Sequence, residues 1–138
     1  MIAIIRIKGM VGVKKIVEET LYRLRLRRKY SCAVIHPTTE QSGMIKKSRD
    51  FIAFGEINKE TLEKLIEKRG QLIDKNKKVD AKKIAEDLIK GKKPEELNLK
   101  PFFRLHPPRG GIKSRVHFPK GVLGDNKEKI NELIGRML

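Results

Sequence analysis

Isoleucine occupies positions 2, 4, 5 and 7, so the first strand-length segment of this chain is apolar on both of its faces. Successive residues of a strand point to opposite sides. Ile2 and Ile4 share one face, and Ile5 and Ile7 the other, which is the pattern of a central strand covered on both sides. This predicts a strand over Ile2–Lys8. Gly9 and Gly12 then bracket a turn, and the period changes. Val13, Ile16, Val17, Thr20, Leu21 and Leu24 follow the i, i+3, i+4, i+7 spacing of one helix face. Arg27 would come next on that face, so the helix is expected to end near Leu26. Tyr30–His36 reads as a second strand, stopped by Pro37. Thr38–Asp50 reads as a loop and short helix around Met44-Ile45-Lys46-Lys47, and Phe51–Ile57 as a third strand.

The switching period gives β-α-β-α-β over residues 1–57, with helices packed on a three-stranded sheet to cover its apolar surface. The fold class is α+β, and the pattern leaves strand order and direction open. Asn58 is placed to cap a helix using Leu62, Leu65 and Ile66 and ending near Gly70. Asp80 is placed to cap another, with Ile84, Ala85, Leu88 and Ile89 inside and Gly91 as its stop. Pro94 to Gly124 holds five prolines and four glycines and reads as irregular. An Asp125–Glu128 pair resembles a capping box for a last amphipathic helix using Ile130, Leu133, Ile134 and Met137. Three regions follow: a 1–57 β-α-β-α-β core, a helical extension over 58–93, and a basic Pro/Gly-rich segment with a terminal helix over 94–138. Neither an internal repeat nor a low-complexity tract is evident.

Charge narrows the function. Lys and Arg number 33 against 17 acids, a formal balance of +16. Residues 1–50 carry 12 bases and 4 acids, 51–100 carry 13 and 10, and 101–138 carry 8 and 3. Both ends are basic, while the middle is balanced by Glu and Lys alternating on helix faces. Such an excess attracts polyanions. A membrane-surface helix would be nearly all basic on its polar face, which these are not. No apolar run approaches the ~20 residues of a membrane span. The single cysteine precludes an intramolecular disulfide. With no secretory pattern at the start, the expectation is an intracellular, soluble protein.

Catalysis is not suggested. His36, His106 and His117 are far apart and belong to no metal-binding spacing. Cys32 alternates with apolar neighbours in a predicted strand, as a buried thiol does. No metal site is expected. An alternative is a nucleic-acid-processing enzyme on a ferredoxin-like scaffold, for which Asp50 and Glu56 are the nearby carboxylates. Another is a chromatin-type DNA binder.

Polyanion contact has several candidates. Gly9-Met10-Val11-Gly12 resembles the Gly-x-x-Gly loop of KH domains, although there the loop joins two helices. Glycines allow close approach to a phosphate, and Lys8, Lys14 and Lys15 add charge. Arg23, Arg25, Arg27, Arg28 and Lys29 cluster at the end of the first helix, where helix-end electrostatics accounts for one or two cations and not five. Arg donates twice from a planar fork, which suits phosphate. Phe102-Phe103-Arg104-Leu105-His106-Pro107-Pro108-Arg109-Gly110-Gly111, continuing through Lys113, Arg115, His117, Phe118 and Lys120, interleaves basic, aromatic and glycine residues as an extended RNA-binding strand would. Such a strand is expected to be mobile over 101–121 in the free protein. No helix-turn-helix, zinc finger or RRM-type motif is present.

Three stretches carry a family resemblance. They are Ile4-Ile5-Arg6-Ile7-Lys8-Gly9 through the helix to Leu24-Arg25-Leu26-Arg27-Arg28; Gly43-Met44-Ile45; and Leu105-His106-Pro107-Pro108-Arg109-Gly110-Gly111 with Gly121-Val122-Leu123-Gly124-Asp125 and Ile130-Asn131-Glu132-Leu133-Ile134. Nearly end to end, the chain resembles the ribosomal protein L-thirty family of the large subunit, in its long archaeal form, whose eukaryotic counterpart is called L-seven. Pro-Pro-Arg-Gly-Gly is the most specific part. The bacterial form is shorter and would end near Ile57. Eukaryotic members carry a basic arm before the first strand, and its absence here favours an archaeal source. The resemblance implies a ferredoxin-like α+β core and a structural role on large-subunit ribosomal RNA beside neighbouring ribosomal proteins, without catalysis or cofactor. Carried onto this sequence, the contacts it implies are Lys8, Lys14 and Lys15, the Arg23–Lys29 cluster, Gln41, Ser42, Lys46 and Lys47, and the Arg104–Lys120 segment with His106, Arg109, Lys113 and Arg115.

Overall fold

The first strand, β1 (Ile2–Arg6), lies at the centre of a sheet, as its two apolar faces require. The computed structural model describes all of residues 1–138. β1 is antiparallel to β2 (Ser31–Ile35) on one side and to β3 (Ile52–Glu56) on the other, with Ile4 opposite Ala33 and Phe54. Two short strands extend this three-stranded core. β4 (Phe103–Arg104) pairs antiparallel with β2, and β5 (Gly124–Asp125) pairs parallel with β3, giving the order β4-β2-β1-β3-β5. Both come from the segment that reads as irregular in the sequence. Each spans two residues, too few to show a period of two. Their pairing satisfies backbone groups that the edges of β2 and β3 would otherwise leave open.

Two helical layers flank the sheet. α1 (Lys15–Arg23) and α2 (Thr39–Ser48) cover the face of Ile4, where Leu21, Leu24, Leu26, Ala33, Ile45 and Ile52 are buried together. α3 (Lys59–Arg69), α4 (Ala81–Ile89) and α5 (Ile130–Met137) cover the face of Ala3, Ile5 and Ile7, with Leu62, Leu65, Ile84, Leu88, Ile130 and Ile134 in the larger core. The helices after residue 57 therefore cover the face of β1 that the first two helices leave bare. None of the helices is long and apolar enough to cross a membrane.

The element boundaries have local causes. α1 ends at Arg23 because Arg25 takes a left-handed φ of 63°, yet Leu26 still reaches the core from the loop beyond. α2 is longer than the sequence suggests. Its apolar periodicity is weak, with only Ile45 and Ser48 buried, but Thr38 and Gln41 form a capping box that starts it firmly. Asp80 caps α4 by accepting from the Lys82 N–H at 3.1 Å. Asn58 precedes α3 without a side-chain cap, and its own N–H donates to Asn131 Oδ1 at 2.9 Å. Asp125 accepts from the Lys127 N–H at 2.9 Å, and a 3-10 turn over Lys127–Lys129 leads into α5. Gly55 is fixed by that approach, since a Cβ there would lie 2.2 Å from the Lys127 carbonyl oxygen.

The basic Pro/Gly segment is a folded strap fastened along its length, where the sequence suggests an extended and mobile strand. The Leu105 N–H donates to the Tyr30 carbonyl at 3.0 Å and the His106 N–H to that of Met137 at 3.0 Å. The Phe118 N–H donates to the Leu123 carbonyl at 2.8 Å, and His117 Nε2 lies 2.7 Å from Asp50 Oδ1. Backbone groups that would otherwise await a ligand thus have partners in the chain itself.

Candidate nucleic-acid interface

Strand pairing gathers cations from three distant stretches at one end of the sheet. The Ile7 and Lys8 N–H groups both donate to the Phe51 carbonyl, at 3.0 and 3.2 Å. The Tyr30 N–H donates to the Arg6 carbonyl at 2.7 Å, and Arg104 sits opposite Ser31. Lys8, the Arg27-Arg28-Lys29 run and Arg104 therefore share this end. Arg49 joins them from the end of α2, two residues before Phe51. Lys8 is half-buried, while Arg23, Arg25, Arg27, Arg28, Lys29 and Arg104 are exposed. Several of these cations stand over aromatic rings: Lys8 5.5 Å from the Phe51 centroid, Arg27 4.1 Å from Tyr22, and Lys29 4.9 Å from Tyr30. Flat cation-bearing surfaces of this kind suit both phosphates and exposed bases.

One buried residue holds that end in shape. Arg6 is 1% exposed and shares the face of Ile4. Its guanidinium donates to the carbonyls of Leu26 at 2.9 Å and of Arg27, Lys8 and Gly9 at 3.0 Å. Burial lowers its pKa, and the charge of Glu18 partly offsets that effect. The guanidinium ties β1 to the loops on both sides of α1. The loop after α1 stores strain, because Arg25 and Tyr30 have φ of 63° and 62°. The sequence signal for Arg6 is a charged residue inside an isoleucine run, on a face that should be buried. A search for exposed cations does not single it out, because it is buried.

The remaining expected contacts fall elsewhere. Lys14 and Lys15 are exposed at the start of α1. Gln41 is committed to the α2 capping box, and Ser42 is half-buried beside it. Lys46 and Lys47 are exposed in the last turn of α2. Lys47 and Arg23 line a groove between α1 and α2 together with Glu19, Glu40, Gly43 and Met44. His106 and Arg109 are exposed on the Pro-Pro-Arg-Gly-Gly loop, which is clamped to the end of α5. There the Arg109 N–H donates to the Arg136 carbonyl at 3.0 Å, and Arg136 Nε returns a bond to the Arg109 carbonyl at 2.9 Å. Lys113 and Lys120 border a second groove with Lys129 from the 3-10 turn and with Glu132 and Arg136 from α5. Arg115 is exposed on the same strap.

The groups considered for catalysis do not converge. Asp50 and Glu56 flank opposite ends of β3, and Asp50 is engaged with His117. Cys32 is fully buried, and burial pushes its thiol up to about 12, so it carries no thiolate at neutral pH. His36 Nε2 lies 2.7 Å from the Leu88 carbonyl oxygen.

Comparison with known sequences matches this architecture. Residues 2–52, spanning β1 to the start of β3, match the model of the family described as ribosomal protein L30p/L7e. The large ribosomal subunit protein uL30 of Archaeoglobus fulgidus is 40% identical, covering 99% of both chains. The chain belongs to the ribosomal protein L30p/L7e family. The proteins of the same name from Methanococcus vannielii and Nanoarchaeum equitans are 41% and 40% identical, over 99% of this chain and 98% and 97% of theirs. The family model ends within β3, whereas the similarity to the uL30 relatives runs on over the residues that form this chain's later helices and strap.

Proposed function

We propose that this chain is a structural constituent of the large ribosomal subunit that binds ribosomal RNA and carries out no catalysis. The observation that carries this reading is the convergence of Lys8, Arg27, Arg28, Lys29, Arg49 and Arg104 at one sheet end, braced from beneath by Arg6. The names of the uL30 relatives support it. Residues 1–57 supply the main RNA-binding core, 58–93 a helical layer, and 94–138 a second basic surface through Arg109, Lys113, Arg115 and Lys120. Lys14, Lys15, Lys46 and Lys47 extend the contact around α1 and α2. Neighbouring ribosomal proteins meet the balanced surfaces, and the working location is the cytoplasmic ribosome. Affinity comes from counterions displaced by Lys and Arg, and the folded core supplies register.

The test is competition between large-subunit ribosomal RNA fragments and duplex DNA of equal length at physiological salt. A marked preference for one RNA fragment, with affinity falling steeply as salt rises, is expected. Equal binding to every polyanion would refute the ribosomal reading in favour of a generic basic protein.

A further inference from the structure

Within the sheet-end cluster, a cleft of about 320 Å³ opens between the loop after α1 and the residues leading into β4. Arg25, Arg27, Arg28 and Arg104 line it, with Phe102 and with Glu95 from the 3-10 turn at Pro94–Leu97. Four guanidinium groups around one small space repel one another unless electron-rich atoms come between them. Arg27 is already occupied, since it stacks on Tyr22 and donates to its hydroxyl at 2.7 Å. Arg25 reaches Glu95 only loosely, at 3.7 Å, with both side chains more than half exposed. Arg28 and Arg104 form no ion pair, and Arg104 stands 5.8 Å from the half-buried Phe102 ring.

Glu95 decides what the cleft fits. A carboxylate repels phosphate, so a site for the RNA backbone alone would not place one among its arginines. As an acceptor-only group, it needs a ligand that also brings donors. Guanine is the RNA base with two adjacent donors, N1–H and the N2 amino group, on one edge, and two acceptors, O6 and N7, beyond them. A carboxylate receives the first pair and an arginine fork donates to the second. On the pairing edge adenine offers one amino group beside N1, cytosine one amino group beside N3 and O2, and uracil one N3–H between two carbonyls, so none of them presents two adjacent donor groups. Phe102 supplies a stacking surface for a base out of its helix. The wall is preorganised, because Arg6 grips the carbonyls of Leu26 and Arg27 while Arg25 is held in a strained conformation.

We propose that this cleft receives one unpaired guanine nucleotide of RNA, with Glu95 reading its N1–H and N2–H, Arg28 or Arg104 its O6 and N7, and Phe102 stacking on its face. This assignment rests on the RNA-binding reading above and adds base selection to it. The test uses the full chain and four RNA hairpins identical except for a single bulged guanosine, adenosine, cytidine or uridine. At physiological salt the guanosine hairpin should bind about tenfold tighter than the others. Glu95→Gln should shrink that preference to about twofold while leaving the affinity for the other three unchanged or higher, since it removes a negative charge. Phe102→Leu should weaken all four. Equal affinity for the four bulges would overturn the proposal and leave a cationic surface without base selection. Free GTP binding as tightly as the guanosine hairpin would also overturn it, in favour of a soluble-nucleotide site. If no hairpin binds while ribosomal RNA fragments still do, the cleft assignment fails alone; loss of both would refute the RNA-binding reading itself.

Discussion

Replacing Arg6 with methionine should destabilise the protein far more than any surface cation does. Methionine keeps the unbranched apolar stem, is two atoms shorter, and removes four hydrogen bonds of 2.9 to 3.0 Å. Bonds to a charged group contribute about 1.5–3 kcal/mol each when isolated. Three of the four here are only partly buried, and those carbonyls can recover water. The Leu26 bond is buried, and an unsatisfied carbonyl there costs about 1–3 kcal/mol. Relief from burying a guanidinium offsets part of the loss. The net is about 3 kcal/mol, which for a chain of this size lowers Tm by roughly 10 °C. Thermal and denaturant unfolding would measure it, and amide exchange would report the 24–30 loop. RNA affinity should fall as well, with little change in its salt dependence, because no exposed cation is removed. A loss below about 1 kcal/mol with unchanged exchange in that loop would refute the view that Arg6 braces the interface.

Other consequences can be checked directly. Gly55→Ala should destabilise by about 3 kcal/mol or more, because the added Cβ meets the Lys127 backbone and Ile130; denaturation midpoints would show it. Cys32, pushed up to about 12 by burial, stays protonated in the folded state while the unfolded thiol ionises near pH 9. Its contribution is therefore complete below pH 9 and falls by about 1.4 kcal/mol per pH unit between there and 12. Cys32→Ala should flatten that part of the stability profile relative to the parent. Arg28→Gln should weaken ribosomal RNA fragments and reduce the slope of log affinity against log salt by about 1, with unfolding unchanged. Asp50→Ala should loosen the strap from the turn before β3, seen as faster amide exchange over 114–123, while global stability changes by about 1 kcal/mol or less.

The sequence determined the elements whose signals are local. Isoleucine on both faces of β1 predicted its central place, and the alternation of periods placed the three main strands, α1 and the later helices. The charge excess and the Arg23–Lys29 run pointed to a polyanion before any geometry was known. Weak signals failed in identifiable ways: α2 has few apolar residues to mark it, and β4 and β5 are too short for a period. The tertiary structure alone decided how these parts meet. The open edges of β2 and β3 recruit residues 103–104 and 124–125 across long separations, and this pairing puts Arg104 beside Ser31. Arg6 shows the division most clearly. Strand alternation puts it on the buried face with Ile4, but the carbonyls of Leu26 and Arg27 that make its burial tolerable lie about twenty residues away in the chain. Periodicity is a property of neighbours along the chain, whereas satisfying a buried charge or an open strand edge depends on groups that only folding brings within reach.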